Sequence, residues 1–213
     1  MEDFLHDITL LEKISINIRD RWFYYITVPR YLSRIAHGDV VIDCGANVGK
    51  FTELFAKRGA VVYAFEPHPV AFAALCKKLE SIPNVHCLNQ AVSREAGRMK
   101  LFLRPDDDSI AATESSSLMA SKNNVSMDRF VEVDVIRLVD FVRKLGHVRF
   151  IKMDIEGAEY GVLSDMLDCG INREVDYIVV ETHERSVGLR SDHDELVARI
   201  SRMGVKNIDL NWH

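Results

Sequence analysis

The stretch Val40–Pro67 reads VVIDCGANVGKFTELFAKRGAVVYAFEP, and it decides the fold. Val40, Val41 and Ile42 make a short apolar run that ends in an acid, Asp43. A turn of small residues follows, with Gly45, Ala46 and Gly49. From Val48 to Lys57 the apolar residues Val48, Phe51, Leu54 and Phe55 recur at helical spacing, and Gly59 stops the pattern. Val61–Phe65 is a second β-rich run, closed by a second acid, Glu66. Strand, glycine turn, helix and strand in that order form the βαβ unit of a parallel sheet.

The turn restricts the ligand. A dinucleotide turn wants three glycines, the middle one admitting a pyrophosphate, and Asp43-Cys44-Gly45-Ala46-Asn47-Val48-Gly49 lacks it. No Lys-Ser/Thr pair closes the turn, so a P-loop is excluded too. A D-x-G-x-N-x-G turn, with an acid at the next strand tip, suits a nucleoside without phosphates. Asp43 either accepts from an amino-acid ammonium or holds the turn, and Glu66 accepts both ribose hydroxyls. Those are the demands of S-adenosylmethionine. A turn whose glycines serve only its tightness is the structural alternative.

The rest of the chain extends the same pattern. After Pro67-His68-Pro69 a helix is expected over 70–79, a breaker at Pro83-Asn84, and a third strand over 85–88. Strands are expected over 99–103, antiparallel, and over 130–135, with a short helix over 138–145. An apolar strand over 148–155 enters a second acidic motif and a helix over 156–167. A buried strand over 177–180 ends in Glu181-Thr182-His183, followed by a helix over 196–203 and a last strand over 206–210. In an open α/β sheet the ligand lies beyond the carboxyl ends of the strands. Asp43, Glu66, Asn89, Asp154 and Glu181 to His183 all fall there, and together they argue for a site. Each acid alone is also explained as a helix cap.

The 213 residues suffice for one domain with an appendage. Residues 1–37 read as an N-terminal helical arm and 38–213 as the cofactor-binding domain. The arm carries a helical pattern over 4–18 and the aromatic cluster Trp22 to Ile26. It serves as packing, or as a lid or homodimer contact over the substrate site. Residues 104–129 form a long stretch with Asp106 to Asp108 and Ser115 to Ser117, read as a substrate-side lid or a surface excursion.

Hydrophobic content of 47%, charged content of 28% and a net charge of −5 describe an ordinary globular chain with no general nucleic-acid surface. The four cysteines have no ligand spacing, which points to a reducing compartment and no metal framework. No leader opens the chain and no run reaches the length of a membrane span, so a cytoplasmic setting is expected. Methyl transfer from a sulfonium needs alignment of the acceptor and removal of its proton. Asp154 and His183 are the candidate catalytic groups. Glu156 and Glu159 hold the helix start or position substrate. The site is read without a metal, and a divalent ion between Asp154 and Glu156 stays open.

The segments VVIDCGANVGKFT, VYAFEPHP, NQAVS, SSSL, IKMDIEGAEYGVL and VVETH occur in the order of the FkbM-type methyltransferases, which residues 38–211 resemble. The resemblance implies a Rossmann-like class I methyltransferase fold, a mostly parallel sheet with helices on both faces. It implies S-adenosylmethionine as cofactor and O-methylation of a sugar, glycan or natural product. By motif, Asp43, Gly45, Ala46, Asn47 and Gly49 would line the methionine side, Glu66 with Pro67 the ribose, and Gln90 or Ala91 the adenine. Asp154 would lie at the reaction centre, with Ser116, Ser117, Glu156 and Glu159 toward the acceptor. The resemblance also leads one to expect that the final antiparallel strand of class I enzymes is missing or rearranged. N-methylation and a non-catalytic cofactor-binding module are the competing functions.

Overall fold

The computed structural model describes residues 22–103, 117–118, 128–183 and 189–212. The helix expected over 4–18, most of the 104–129 stretch and Ser116 lie outside the described residues. Nine strands are described: β1 Val40–Cys44, β2 Val61–Phe65, β3 Val85–Leu88, β4 Ala91–Ser93, β5 Gly97–Phe102, β6 Phe130–Arg137, β7 Val148–Met153, β8 Val175–Val180 and β9 Ile208–Asp209. The helices are α1 Val28–Leu32, α2 Lys50–Lys57, α3 Pro69–Leu79, α4 Leu138–Leu145, α5 Glu159–Asp168 and α6 Arg190–Arg202. A π-helical turn, Phe23–Thr27, leads into α1.

The central sheet has six strands in the order β3-β2-β1-β7-β8-β9, and every pairing in it is parallel. Strand order reverses between β1 and β7, the crevice where such sheets bind ligands. Helices on both faces make this a Rossmann-like sandwich. Among the described residues the final strand, β9, runs parallel to β8. A second sheet, β4-β6-β5, stands apart from the first. In it β5 is antiparallel to β6, the orientation read from the sequence. The segment 89–93, read as a strand mouth, supplies β4 of this smaller sheet.

Alternation along the strands sorts two cores onto the two faces. Ile42, Ile151, Ile178 and Val180 point to one side and pack with Leu138, Val142, Leu163 and Met166 of α4 and α5. Val41, Phe150 and Val179 point to the other, against Phe55, Phe23, Tyr31, Ile35 and Trp212. The arm from Phe23 onward is therefore part of the core. Trp212 is fully buried, with rings of Phe23, Phe51 and Tyr31 at 5.1–5.6 Å. The Tyr31 hydroxyl donates to Asp209, tying α1 to β9.

Three helix starts differ from the sequence reading by two residues or more, and the largest shift is in α6, which begins at Arg190, six residues before the expected start at 196. α2 begins at Lys50, because Gly49 caps it in the left-handed region at φ 81°. α5 begins at Glu159, three residues later than expected, because Glu156 and Gly157 take φ 59° and 111° and bend the chain first.

Candidate active site

A cavity of about 350 Å³ opens at the carboxyl end of the sheet over the β1–β7 crevice, within the size range of small-molecule pockets. Backbone bonds just past the strand ends build its floor. The Gly45 and Ala46 amides donate to the Phe65 carbonyl at 3.0 and 2.9 Å, strapping the glycine turn to β2. The Asp154 amide donates to Cys44, and the Glu181 amide to Met153. The parallel ladder thus runs one residue beyond the strands and carries both acids to the rim. Gly45 must be glycine here. Its φ is 78°, and a Cβ would meet the Asp154 carbonyl oxygen at 1.8 Å.

Of the residues read from the sequence, Gly45, Ala46, Asn47, Glu66, Pro67, Gln90, Ala91, Asp154 and Glu156 line this cavity together. Glu66 is held at its wall: Oε2 accepts the Asn47 amide at 2.8 Å and Oε1 the His68 amide at 2.8 Å. Asn47 reaches this pose in the left-handed region, φ 47°, with its Oδ1 accepting from the Val48 amide. A carboxylate has about four acceptor sites, so two amides leave room for two ribose hydroxyls. Burial pushes the Glu66 carboxyl up to about 7, against the pull of the two amides and Lys152.

Four of the candidate site residues face away from the cavity, and Asp43 and Glu159 take the structural role read as the alternative for each. Asp43 is fully buried behind the floor, where Oδ2 accepts from the Thr52 hydroxyl at 2.7 Å. It holds the turn. Gly49 faces α3, and a Cβ there would come 2.7 Å from Leu75. Glu159 is fully buried and accepts from the Ile155 and Gly157 amides at 3.1 and 2.8 Å, so it locks the turn before α5. Ser117 is buried and its hydroxyl donates to the Glu156 carbonyl at 2.7 Å, bracing the same turn from the small sheet.

His183 stands beside the rim. Its Nδ1 is 2.9 Å from Glu159 Oε1, and its Nε2 is 3.2 Å from Glu156 Oε2 and 3.9 Å from Asp154 Oδ1. The two catalytic candidates and both motif glutamates thus form one cluster.

Lys152 was not singled out from the sequence. It is 2% exposed, lines the cavity, donates to the Gly45 carbonyl at 2.8 Å, and lies 3.5 Å from Asp43 and 3.4 Å from Asp154. Burial opposes its charge, but Asp43, Asp154 and Glu181 outweigh that penalty and hold it above the usual lysine range. The signal was present: a lysine inside the apolar run VRFIKM, two residues before Asp154 and on the same strand face. Tyr24 and Lys50 also reach the cavity, with the ammonium 4.2 Å from the ring centroid and donating to the hydroxyl at 2.9 Å. The arm therefore supplies part of the wall. Burial and the Asp154 charge raise Glu181, another lining acid, to about 7.

Residues 43–206 match the model of the methyltransferase FkbM domain. The chain is 31% identical over 174 residues to the 31-O-demethyl-FK506 methyltransferase FkbM of Streptomyces tacrolimicus, covering 69% of this chain and 66% of that one. It is 30% identical over 146 residues to methyltransferase 1 of Beauveria bassiana, covering 60% and 58%. The chain thus spans 66% and 58% of the length of these two relatives. Among solved structures, a putative methyltransferase from Streptococcus mutans in complex with SAH superposes at a TM-score of 0.46 and 11% identity over 84% of this chain and 81% of that one. The chain belongs to the FkbM methyltransferase family, whose cofactor is S-adenosylmethionine. The donors present fit that group: a carboxylate with spare acceptor sites on the wall, acids at the rim and a turn kept open by Gly45. Among the described residues no helix is long and apolar enough to cross a membrane.

Proposed function

We propose that the protein transfers a methyl group from S-adenosylmethionine to a hydroxyl oxygen of a saccharide or other small natural product. The observation that carries this reading is the position of Asp154, which shares one cavity with the ribose-side carboxylate Glu66 and the Gly45 turn. The name of the Streptomyces relative, a 31-O-demethyl-FK506 methyltransferase, supports an oxygen acceptor.

When bound, the cofactor supplies a methyl group already activated on a sulfonium. The chain's contribution is alignment and proton removal. Glu66 fixes the ribose and Gln90 and Ala91 flank the base. Asp154 is held by Lys152 through Oδ2, which leaves Oδ1 toward His183 and the open cavity. As the acceptor oxygen gains its methyl carbon, the proton it loses passes to the Asp154 carboxylate. Tyr24, Leu101 and Leu118 complete the wall and shape the acceptor.

Calorimetry with S-adenosylhomocysteine tests cofactor binding. A labelled-methyl screen against carbohydrates and natural products tests the transfer, with Asp154→Ala as control. Folded protein that binds no S-adenosylhomocysteine would overturn the reading, and amine-only acceptors would overturn its oxygen part.

A further inference from the structure

We propose that the Lys50 ammonium binds the α-carboxylate at the amino-acid end of the cofactor, and so selects a nucleoside that carries an amino acid over one that does not. The inference rests on the methyl-transfer reading of the same cavity and supplies the anion contact that reading needs.

S-adenosylmethionine ends in an α-amino acid, so its site must compensate a carboxylate as well as an ammonium. Asp43 and Gly49, the candidates for that end whose side chains or Cα positions come nearest in sequence, face away from the cavity. Among the described residues two cations line it, Lys152 and Lys50. An ammonium has three protons to donate. Lys152 already faces three oxygens: the Gly45 carbonyl at 2.8 Å, Asp154 Oδ2 at 3.4 Å and Asp43 Oδ1 at 3.5 Å. A further anion there would displace one of them. Lys50 is exposed and donates once, to the Tyr24 hydroxyl at 2.9 Å, with its nitrogen 4.2 Å from the centre of that ring. Among the described residues it has no carboxylate partner. Tyr24 therefore holds the ammonium at the cavity wall without neutralising it, and two of its protons are unused.

The sheet order places this cation where a carboxylate would arrive. Glu66 follows β2, the acids Asp154, Glu156 and Glu181 follow β7 and β8, and the Gly45 turn follows β1 between them. A ligand whose ribose meets Glu66 crosses that turn and brings its far end between the rim acids and the start of α2. The rim is a negative field: besides burial, the Asp154 charge helps push the Glu181 carboxyl up to about 7. That field draws the ammonium of the amino acid and repels its carboxylate. Lys50 is the first residue of α2. The first amides of a helix have no partner within it, and its dipole places positive potential at that end. Side-chain charge and helix end thus act in the same direction, and the zwitterion is oriented with its carboxylate on Lys50. Asp154 Oδ1 stays open for the acceptor's proton.

The test is calorimetry of the whole chain with two probes, S-adenosylhomocysteine and 5′-methylthioadenosine. The second keeps the adenine, ribose and thioether but has neither carboxylate nor ammonium. Lys50→Met keeps most of the aliphatic stem and removes the charge. S-adenosylhomocysteine is expected to bind this variant about 10–100-fold more weakly, the loss of one charge-assisted hydrogen bond. 5′-Methylthioadenosine should bind wild type and variant alike, which also reports an intact fold, and Lys50→Arg should restore most of the S-adenosylhomocysteine affinity. Equal S-adenosylhomocysteine affinity in wild type and Lys50→Met would overturn the assignment and leave the methyltransferase reading standing. Equal weakening of both probes would overturn it too, because it marks a structural role for the lysine. Wild-type protein that binds neither probe would overturn the cofactor reading, and the role of Lys50 with it.

Discussion

Lys152 and Asp43 are register partners on β7 and β1, and the Lys152 ammonium lies 3.5 Å from Asp43 Oδ1 in a setting that buries both. The pair joins the two strands where the sheet reverses, and the same lysine reaches forward to Gly45 and Asp154. It therefore couples the floor of the cavity to its rim.

Removing the lysine alone leaves Asp43 buried with, among the described residues, Thr52 as its one side-chain hydrogen-bond partner. Lys152→Met is expected to destabilise the protein by about 3–5 kcal/mol. The double variant Lys152→Met with Asp43→Asn should recover part of that loss. Urea denaturation of the three proteins measures both.

Glu66 gives a pH dependence with a definite sign. Burial pushes its carboxyl up from the ordinary 4.5 to about 7, so its contribution to stability is complete below about 4.5 and is lost as pH rises through about 7. Cofactor affinity moves the other way, because only the ionised group accepts both ribose hydroxyls without first losing a proton. S-adenosylhomocysteine should bind up to about tenfold more weakly at pH 6 than at pH 8. Calorimetry at the two values checks this, and Glu66→Gln should flatten the profile.

Gly45→Ala places a methyl group 1.8 Å from the Asp154 carbonyl and forces φ 78° on a residue with a Cβ. Strain in that region alone costs about 1–3 kcal/mol, and the overlap adds to it. Lower thermal stability and loss of S-adenosylhomocysteine binding are expected together. Gly146→Ala has the same sign of φ but no neighbour within 4 Å, so it should lower stability while cofactor binding persists.

Trp212 anchors the arm against the sheet. Trp212→Ala should cost about 3–5 kcal/mol, the usual range for deleting a buried aromatic. Among the described residues the indole nitrogen has no hydrogen-bond partner, so Trp212→Phe should cost much less. Chemical denaturation separates the two.

Asp154→Ala should reduce the methyl-transfer rate by about 10²–10⁴-fold, the contribution expected of a positioned proton acceptor. Its affinity for S-adenosylhomocysteine should change far less. A rate equal to wild type would remove Asp154 from the mechanism.

The sequence by itself determined the βαβ unit, the parallel sheet and most of the cofactor wall. Those features are local: alternation within a strand, a glycine turn, and an acid at the next strand tip lie within 27 residues of one another. Motif positions such as Asn47, Glu66 and Gln90 therefore reached the cavity as read. Tertiary structure alone decided which polar groups face ligand and which are internal. Asp43 turned inward because Lys152 stands in register with it from a strand more than a hundred residues later. Glu159 disappeared beneath the surface because Glu156 and Gly157 adopt positive φ and delay the helix, and this sets His183 between two acids. Register and long-range charge pairing are properties of strands brought together by folding, so no single segment carries them.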